Sequence, residues 1–321
     1  MAEPKIDAYA LVTDRIVAAV EAGTEKWEKT WASFAKAGNP VNGLTERAYS
    51  GINVLLLAFA GFADARWYTF DQAKAACGYA RNPEWKGRAD DFKGIRKWIW
   101  KGEGEDPFYG VKKGEKGTQV VFWHTVEREE KDKATGTVKI VRVPFARLYT
   151  VFNAAQIAGL PDAPPVVNPA DAHAEAALAF EKLDAVVLHG GDKAYYSPSE
   201  DLIRLPEPGQ FRTTANYWAI RAHETVHWTG SAARLGRDLS GRFGSESYAV
   251  EELVAEIGAA FLCARLGVSG EFRHPEYVAN WLSVLKGDKF AIFAAAREAT
   301  KAVEFLLGAV TNEEMPVAEA A

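Results

Sequence analysis

The segment His223-Glu224-Thr225-Val226-His227 constrains this chain of 321 residues more than any other feature. It has the pattern H-E-x-x-H and lies in a stretch that favours a helix. Residues four apart lie on one face of a helix, so the two imidazoles can converge on one metal ion. Glu224, beside the first histidine, can then act as a general base toward water at that metal. The alternative is a surface helix that carries two histidines by chance.

A second helix pattern, from Tyr248 to Leu262, carries an apolar stripe at helical spacing. A zinc hydrolase needs a third protein ligand, which can come from a second helix about 20 to 30 residues further on. Glu252 has this separation from His227 and is predicted as the third ligand. Glu256, one turn later, is predicted to orient a ligating histidine, whereas Glu251 points about 100° away and suits ligation less well. The alternative is that these glutamates are solvated on an amphipathic helix.

The expected chemistry is zinc-assisted hydrolysis of a peptide bond. Zinc is the expected ion, although manganese or cobalt would accept the same ligands. A second donor to the tetrahedral intermediate is also required. The sequence leaves four candidates open for this role: Tyr196, Tyr217, Tyr248 and His189.

Composition indicates an ordinary globular protein, with 48% hydrophobic and 25% charged residues. No run of 18 apolar residues predicts a membrane span, and the start of the chain lacks the order of a signal peptide. Cys77 and Cys263 lie far apart among small apolar residues, so both are expected to be buried thiols. We therefore expect a cytoplasmic protein without a membrane partner.

Charge and length predict two domains. Residues 1–160 hold 24 Lys and Arg against 20 Asp and Glu, whereas residues 161–321 hold 14 against 23. Seven of the ten tryptophans also lie in the first half, and a Pro-rich linker signal covers residues 160–165. The predicted domains are residues 1–160 and 161–321, each of α+β class.

Periodicity and turn residues predict the elements of both halves. Thr69 is a plausible N-cap, and the alternating segment before Pro206 is typical of an edge strand that could pair with an extended peptide. The predicted helices are 6–22, 53–60, 70–76, 171–183, 214–229, 248–262, 278–285 and 289–307, and the predicted strands are 117–123, 138–143, 185–188, 194–197 and 201–205.

A basic stretch with interleaved tryptophans is the candidate nucleic-acid surface. Cations track phosphates, and exposed aromatic rings stack on unpaired bases. The alternative is a structural role, because tryptophans mostly lie in cores and mixed charge runs are usually solvated. The candidate residues are Arg81, Lys86, Arg96, Lys97, Trp98 and Trp100, with a second basic turn at Lys112, Lys113 and Lys116.

An ordered set of motifs resembles the ArdC-type antirestriction proteins of conjugative plasmids and phages, over nearly the whole chain. In the first half the set includes residues 12–16, 21–23, Trp27, Trp31, 49–53, 69–73, 111–117 and 149–156. In the second half it includes residues 189–191, 196–198, the H-E-x-x-H helix with residues 228–230, 239–244 and 251–256.

The resemblance implies an N-terminal domain that binds single-stranded DNA and a C-terminal zincin-like metallopeptidase domain. Double-stranded DNA is a further possible partner, and the peptide substrate is unknown. One departure from the family pattern is an insertion at about residues 79–109, which contains the basic, tryptophan-bearing stretch.

Three functions remain open from the sequence. The chain could be an antirestriction protein of a mobile element that binds single-stranded DNA and carries a zinc-dependent peptidase site. It could be a DNA-binding protector whose zinc site is structural or vestigial. It could also be a regulatory metalloprotease that cleaves a host or repressor protein.

Overall fold

A computed structural model describes residues 7–21, 37–85, 96–131, 138–162, 168–241, 245–270 and 275–308. Several sequence-based interpretations fall outside these residues. They concern Lys86 of the candidate nucleic-acid surface and the family-like residues Trp27 and Trp31.

The helices follow the predicted order along the chain. The helix that carries the metal motif has the predicted bounds, and Thr69 caps its helix by accepting a hydrogen bond from the backbone of Gln72. The helices are α1 Ala8–Glu21, α2 Ile52–Ala58, α3 Phe70–Ala76, α4 Pro169–Glu181, α5 Thr214–Thr229, α6 Glu246–Leu266, α7 Pro275–Gly287 and α8 Ala291–Leu306.

The strands confirm an α+β fold, because most strand pairs are antiparallel and runs of strands and helices follow one another instead of alternating. They are β1 Val41–Asn42, β2 Arg66–Thr69, β3 Tyr79–Arg81, β4 Trp98–Trp100, β5 Gly110–Val111, β6 Thr118–Lys131, β7 Val138–Asn153, β8 Ile157–Ala158, β9 Val186–His189, β10 Tyr195–Ser197 and β11 Leu202–Leu205. The predicted boundary at residue 160 falls between β8 and α4.

The N-terminal sheet has the order β1-β2-β7-β6. Its last two strands, β7 and β6, form a long antiparallel ribbon. Thr118 pairs with Val151 at one end of this ribbon, and Lys131 pairs with Val138 at the other. On its β7 side, strand β2 pairs with residues 151–153 alone, so most of the ribbon extends beyond the sheet. Asn53 of α2 bonds both the backbone N–H and the carbonyl of Val121, which satisfies part of the outer edge of β6.

The C-terminal sheet has the order β10-β11-β9, which makes the edge-strand prediction for residues 201–205 wrong. Strand β11 pairs on one side with β10 and on the other with β9. Pro206 lies just after the strand, so its missing N–H does not prevent pairing on either side. The edge strand beside the functional site is instead β10.

One hydrophobic core joins the two halves of the chain. Val12 and Ile16 of α1 are buried in the same cluster as residues of α6 and α8. Tyr9 of α1 packs edge-on against Phe293 of α8, with ring centroids 4.8 Å apart. The hydroxyl of Thr13 donates a hydrogen bond to the carbonyl of Lys289 at 2.7 Å. The first helix is therefore packed against the helices of the second half.

Both cysteines are buried free thiols, as predicted. Trp281 is also buried in the core, with 2% of its surface exposed. Within the described residues, every helix is too short or too polar to cross a membrane.

Candidate metal centre and nucleic-acid surface

Two capped helices carry the candidate metal ligands. Thr213 caps α5 by accepting a hydrogen bond from the backbone of Asn216, and Ser245 caps α6 in the same way through Tyr248. The helices approach closely at Gly258 of α6. A Cβ added at Gly258 would lie 2.9 Å from Cγ1 of Val226, inside the metal motif. The missing side chain therefore permits the helix contact that places the two sets of polar residues together.

The three predicted ligands come together at one point. The ligand atoms of His223, His227 and Glu252 all lie within 4.8 Å of one another, and all three residues are buried. The two Nε2 atoms are 3.1 Å apart. The Glu252 oxygens lie 3.6 Å from Nε2 of His223 and 3.4 Å from Nε2 of His227.

Carboxylates lie on the opposite edges of both rings. Glu256, the residue predicted to orient a histidine, lies 3.4 Å from Nδ1 of His223, and Glu251 lies 3.0 Å from Nδ1 of His227. A proton on each Nδ1 leaves each Nε2 with a free lone pair toward the common centre. Burial of all three glutamates excludes the alternative in which they are solvated on a surface helix.

Arg237 is a further member of the centre that the sequence interpretation missed. Its guanidinium donates two hydrogen bonds of 2.9 Å to the carboxylate of Glu251. It also bonds the carbonyl of Val226 and the hydroxyl of Thr229, both near the end of α5. Arg237 lies in the loop between α5 and α6, and no motif in the sequence links it to His227.

The donor set fits a divalent cation. A tetrahedral zinc site with bonds of about 2.0–2.1 Å separates its ligand atoms by about 3.3 Å, close to the distances above. The lone pairs of two imidazoles and a carboxylate repel one another at this spacing unless a cation or protons lie between them. The residues offer three candidate ligands and border an open cleft, an arrangement that resembles catalytic more than structural zinc sites.

Without a metal, protons on the two imidazoles balance the negative charge of the neighbouring glutamates. Burial opposes protonation of His227, but its hydrogen bonds to Glu251 and Glu252 outweigh burial and raise its pKa to about 9. Burial also opposes protonation of His223, yet Glu252 and Glu256 raise its pKa well above the ordinary value. For Glu252, burial favours the neutral acid, but the two imidazoles lower its pKa far below the ordinary value. The metal-free centre therefore favours protonated imidazoles beside an ionised Glu252.

The centre opens into a cleft of about 320 Å³. Glu224 lines this cleft and, within the described part of the chain, its carboxylate makes no hydrogen bond. It is therefore available to water in the cleft. The other lining residues are Ala194, Tyr195, Tyr196, Pro198, Asp238, Leu239, Gly241 and Tyr248, together with His223, His227, Glu251 and Glu252.

Of the four candidates for the second oxyanion donor, two line the cleft and two do not. Tyr196 and Tyr248 line the cleft. The Tyr196 hydroxyl already donates to Asp201 at 2.8 Å. Tyr217 and His189 instead bond each other at 3.1 Å, away from the residues that line the cleft.

The tryptophans of the candidate nucleic-acid surface face inward. Trp98 and Trp100 alternate around Ile99 in β4, as the sequence suggested, but Ile99 takes the exposed side. Both rings are half-buried against a small second cluster with Tyr79 and Cys77. This arrangement matches the alternative in which tryptophans serve the core, and it leaves neither ring as an open stacking surface.

Two of the basic residues predicted to bind nucleic acid form ion pairs with carboxylates. Lys97 pairs with Asp71 at 2.8 Å, and Arg96 pairs with Asp106 at 3.0 Å. Arg81 lies over the ring of Trp85, with its guanidinium carbon 5.7 Å from the ring centroid. These cations are therefore less available to phosphates than the sequence suggests.

The basic turn is exposed and firmly anchored. Lys112, Lys113 and Lys116 are all exposed. Buried Gln156 donates hydrogen bonds of 2.9 Å to the carbonyl of Lys116 and to the carboxylate of Glu115. The turn thus presents three lysines from a fixed backbone, and the ammonium of Lys112 also donates a hydrogen bond of 2.8 Å to the carbonyl of Ala155.

Comparison with protein families gives two matches. Residues 6–152 match the N-terminal domain of the anti-restriction factor ArdC, and residues 172–298 match a zincin-like metallopeptidase domain. The chain is 37% identical over 311 residues to an uncharacterized protein, y4eC, of Sinorhizobium fredii (strain NBRC 101917 / NGR234), covering 94% of this chain and 91% of that protein. It is 36% identical over 324 residues to the DNA primase TraC of Escherichia coli, covering 96% of this chain but only 28% of the primase.

Two solved structures are similar over almost their full length. Both are crystal structures of the antirestriction ArdC protein from the R388 plasmid. The metal-free structure has a TM-score of 0.67 and 37% identity, covering 94% of this chain and 97% of that chain. The Mn(II)-bound structure has a TM-score of 0.67 and 36% identity, covering 96% of this chain and all of that chain.

Proposed function

We propose a function for this chain on the premise that it belongs to the family of the ArdC antirestriction proteins, in which an ArdC N-terminal domain precedes a zincin-like metallopeptidase domain. The proposed function is antirestriction by a protein that binds single-stranded DNA and cleaves a peptide bond with a metal ion. The convergence of His223, His227 and Glu252 beside Glu224 in one cleft carries the peptidase part.

His223, His227 and Glu252 would hold the metal, with zinc or manganese as the candidate ions. A divalent cation at this site would lower the pKa of water and polarise the carbonyl group of a substrate. Glu224 would accept the proton of the attacking water and pass it to the leaving amine. Glu251 and Glu256 would keep the two imidazoles in one orientation throughout.

An extended peptide would lie along β10. Tyr195 and Tyr196 of this strand line the cleft. Among the described strands, β10 pairs only with β11, so its other edge can pair with a substrate backbone. The Pro-bounded strand β11, which the sequence favoured for this role, is enclosed between its neighbours.

The DNA-binding part rests on the family and on the exposed basic turn. Lys112, Lys113 and Lys116 can follow a phosphate backbone without sequence preference. Single-stranded DNA is the proposed partner, with double-stranded DNA as the competitor to test. Roles for Arg81, Arg96 and Lys97 remain predictions, weakened by the contacts described above.

Replacement of Glu224 by Gln separates the two parts of the proposal. The amide keeps the shape of the side chain but cannot accept the proton, so cleavage of an unfolded protein substrate in the presence of zinc or manganese should fall at least about 100-fold. Binding of single-stranded DNA should stay within twofold of wild type, because Glu224 lies in the cleft. The matched control is Glu181→Gln, at an exposed position of α4.

Two results would contradict the proposal. One is a wild-type protein that carries metal but cleaves no substrate. The other is transfer of DNA into a restricting host that is protected equally by wild type and Glu224→Gln. Together these results would favour a DNA-binding protector in which the metal only stabilises the fold.

A further inference from the structure

One face of the ribbon β6–β7 carries a row of aromatic rings. Residues that pair across an antiparallel ribbon share a face, and this face carries Phe122, His124, Phe145, Arg147 and Tyr149. Phe122 and Tyr149 meet edge to face, with ring centroids 5.3 Å apart. His124 bonds the hydroxyl of Tyr149 at 3.0 Å and stacks on Phe145, with centroids 5.5 Å apart.

The outer part of this aromatic row is open to solvent. Phe145 is 40% exposed, a large fraction for a phenylalanine side chain. Phe122, His124 and Tyr149 are half-buried, so their contacts with one another and with Phe145 fix the row in place. A rigid, partly exposed row of rings is what base stacking requires, because little conformational freedom is lost on binding.

The charge of this face complements a phosphate backbone. Arg147 is exposed beside the row, with its guanidinium carbon 5.2 Å from the centroid of the Tyr149 ring. Among the residues that the structure describes, Arg147 forms no ion pair, and the part of this face from Val120 to Val126, paired with residues 143–149, carries no carboxylate. The opposite face instead carries the exposed pair Arg142 and Glu127.

We propose that the aromatic row Phe122–Tyr149–His124–Phe145, with Arg147, stacks on the bases of single-stranded DNA and contacts its phosphates. This inference rests on the proposed DNA-binding function and gives that function a surface other than the tryptophan stretch. The competing surface is the segment 96–109, where Phe108 is 72% exposed beneath Arg96. There the cations Arg96, Lys97 and Lys101 are balanced by Glu103, Glu105 and Asp106, which makes that segment a weaker partner for a polyanion.

The test is fluorescence anisotropy of a labelled oligothymidylate titrated with the full chain at several salt concentrations. Phe145→Leu keeps an apolar side chain but removes the ring, and it should weaken binding by about 5- to 100-fold with an unchanged salt dependence. Arg147→Gln should lower the slope of log affinity against log salt by about 0.7, the value for one phosphate contact on a single strand. Ile140→Ala is the control, since Ile140 is 65% exposed on the opposite face of the same ribbon, and it should bind as wild type does.

The outcomes separate this inference from the function on which it rests. If wild type binds but Phe145→Leu and Arg147→Gln bind equally well, the surface is wrong and the proposed DNA binding stands. If Phe108→Ala weakens binding while Phe145→Leu does not, the surface is the segment 96–109. If wild type binds no single-stranded DNA, both the proposed DNA-binding function and this surface are overturned.

Discussion

Glu251 approaches Nδ1 of His227 to 3.0 Å, on the ring edge opposite the nitrogen that faces the candidate metal point. The next residue, Glu252, lies 3.4 Å from Nε2 of the same ring. Two consecutive glutamates therefore contact opposite edges of one imidazole. Arg237 holds Glu251 by two hydrogen bonds. The geometry therefore favours a role for Glu251 in orienting the His227 ring and a role for Glu252 as a metal ligand.

The paired hydrogen bonds from Arg237 to Glu251 form a clamp on the carboxylate that contacts His227. Loss of this clamp should weaken metal binding more than it weakens the fold. Arg237→Lys cannot form the paired hydrogen bonds to Glu251, so metal affinity should fall about 10- to 100-fold. Competition with a chelator measures the affinity, and thermal unfolding of the metal-free protein reports the fold. Arg234→Lys is the matched control, because Arg234 lies in the same loop but pairs with Asp201. Equal affinity in wild type and Arg237→Lys would show that the clamp does not serve the metal.

Gly258→Ala should separate the two ligand helices. The new Cβ would meet Val226 at 2.9 Å, so we expect a loss of about 1–3 kcal/mol in the free energy of unfolding although alanine favours helices. Val226→Ala in the same chain should recover part of that loss, which a double-mutant cycle in denaturant measures. Gly287→Ala is the control, because nothing lies within 4 Å of its added Cβ. Simple additivity of the two substitutions would contradict the proposed contact.

Metal binding should release protons and strengthen as the pH rises. In the metal-free protein burial opposes protonation of His227, but Glu251 and Glu252 raise its pKa from 6.5 to about 9, so a metal must displace a proton below that pH. Calorimetry in two buffers of different ionisation enthalpy counts the released protons. An affinity that stays constant from pH 6.5 to 9 would exclude this coupling.

The same pKa predicts how the metal-free fold responds to pH. A histidine whose pKa is raised by folding stabilises the fold fully below its unfolded pKa of 6.5, and that contribution is lost as the pH rises to about 9. Thermal unfolding of the metal-free protein should therefore show falling stability over this range. Saturating metal should flatten the profile, since the metal replaces the protons.

The packing of α1 predicts that the two halves unfold together. Ile16 is 1% exposed within the cluster that includes α6 and α8. Ile16→Ala should therefore lower the free energy of unfolding by about 2–5 kcal/mol and shift a single transition. Leu178→Ala, at a position that is 58% exposed, should change stability by less than about 0.5 kcal/mol. Two separate transitions, with only one of them shifted, would show that the halves unfold independently.

The spacing of residues within single helices was enough to predict much of the candidate site. His223 and His227 share a face because they lie four apart, and Glu252 and Glu256 share another for the same reason. The helix bounds of α5 and the cap at Thr69 also followed from local rules. These features depend on residues close in sequence, which one chain displays directly.

Features that depend on distant contacts could not be predicted in this way. The clamp by Arg237 requires the loop after α5 to fold back over the end of the helix. The inward position of Trp98 and Trp100 depends on the small cluster that covers one face of β4. The edge-strand prediction failed because the pairing of β11 with β9 brings together segments that local alternation does not relate.

Mass spectrometry of the metal content decides whether His223, His227 and Glu252 hold a metal ion. Wild type, His223→Ala and Glu252→Ala would be prepared without added metal and again after zinc or manganese is offered, with Glu181→Ala as an exposed control. We expect one equivalent of metal in wild type and in the control, and its loss or strong reduction in both other variants. Metal retained by Glu252→Ala would move the third ligand elsewhere, and wild type that takes up no metal would contradict the metal centre itself.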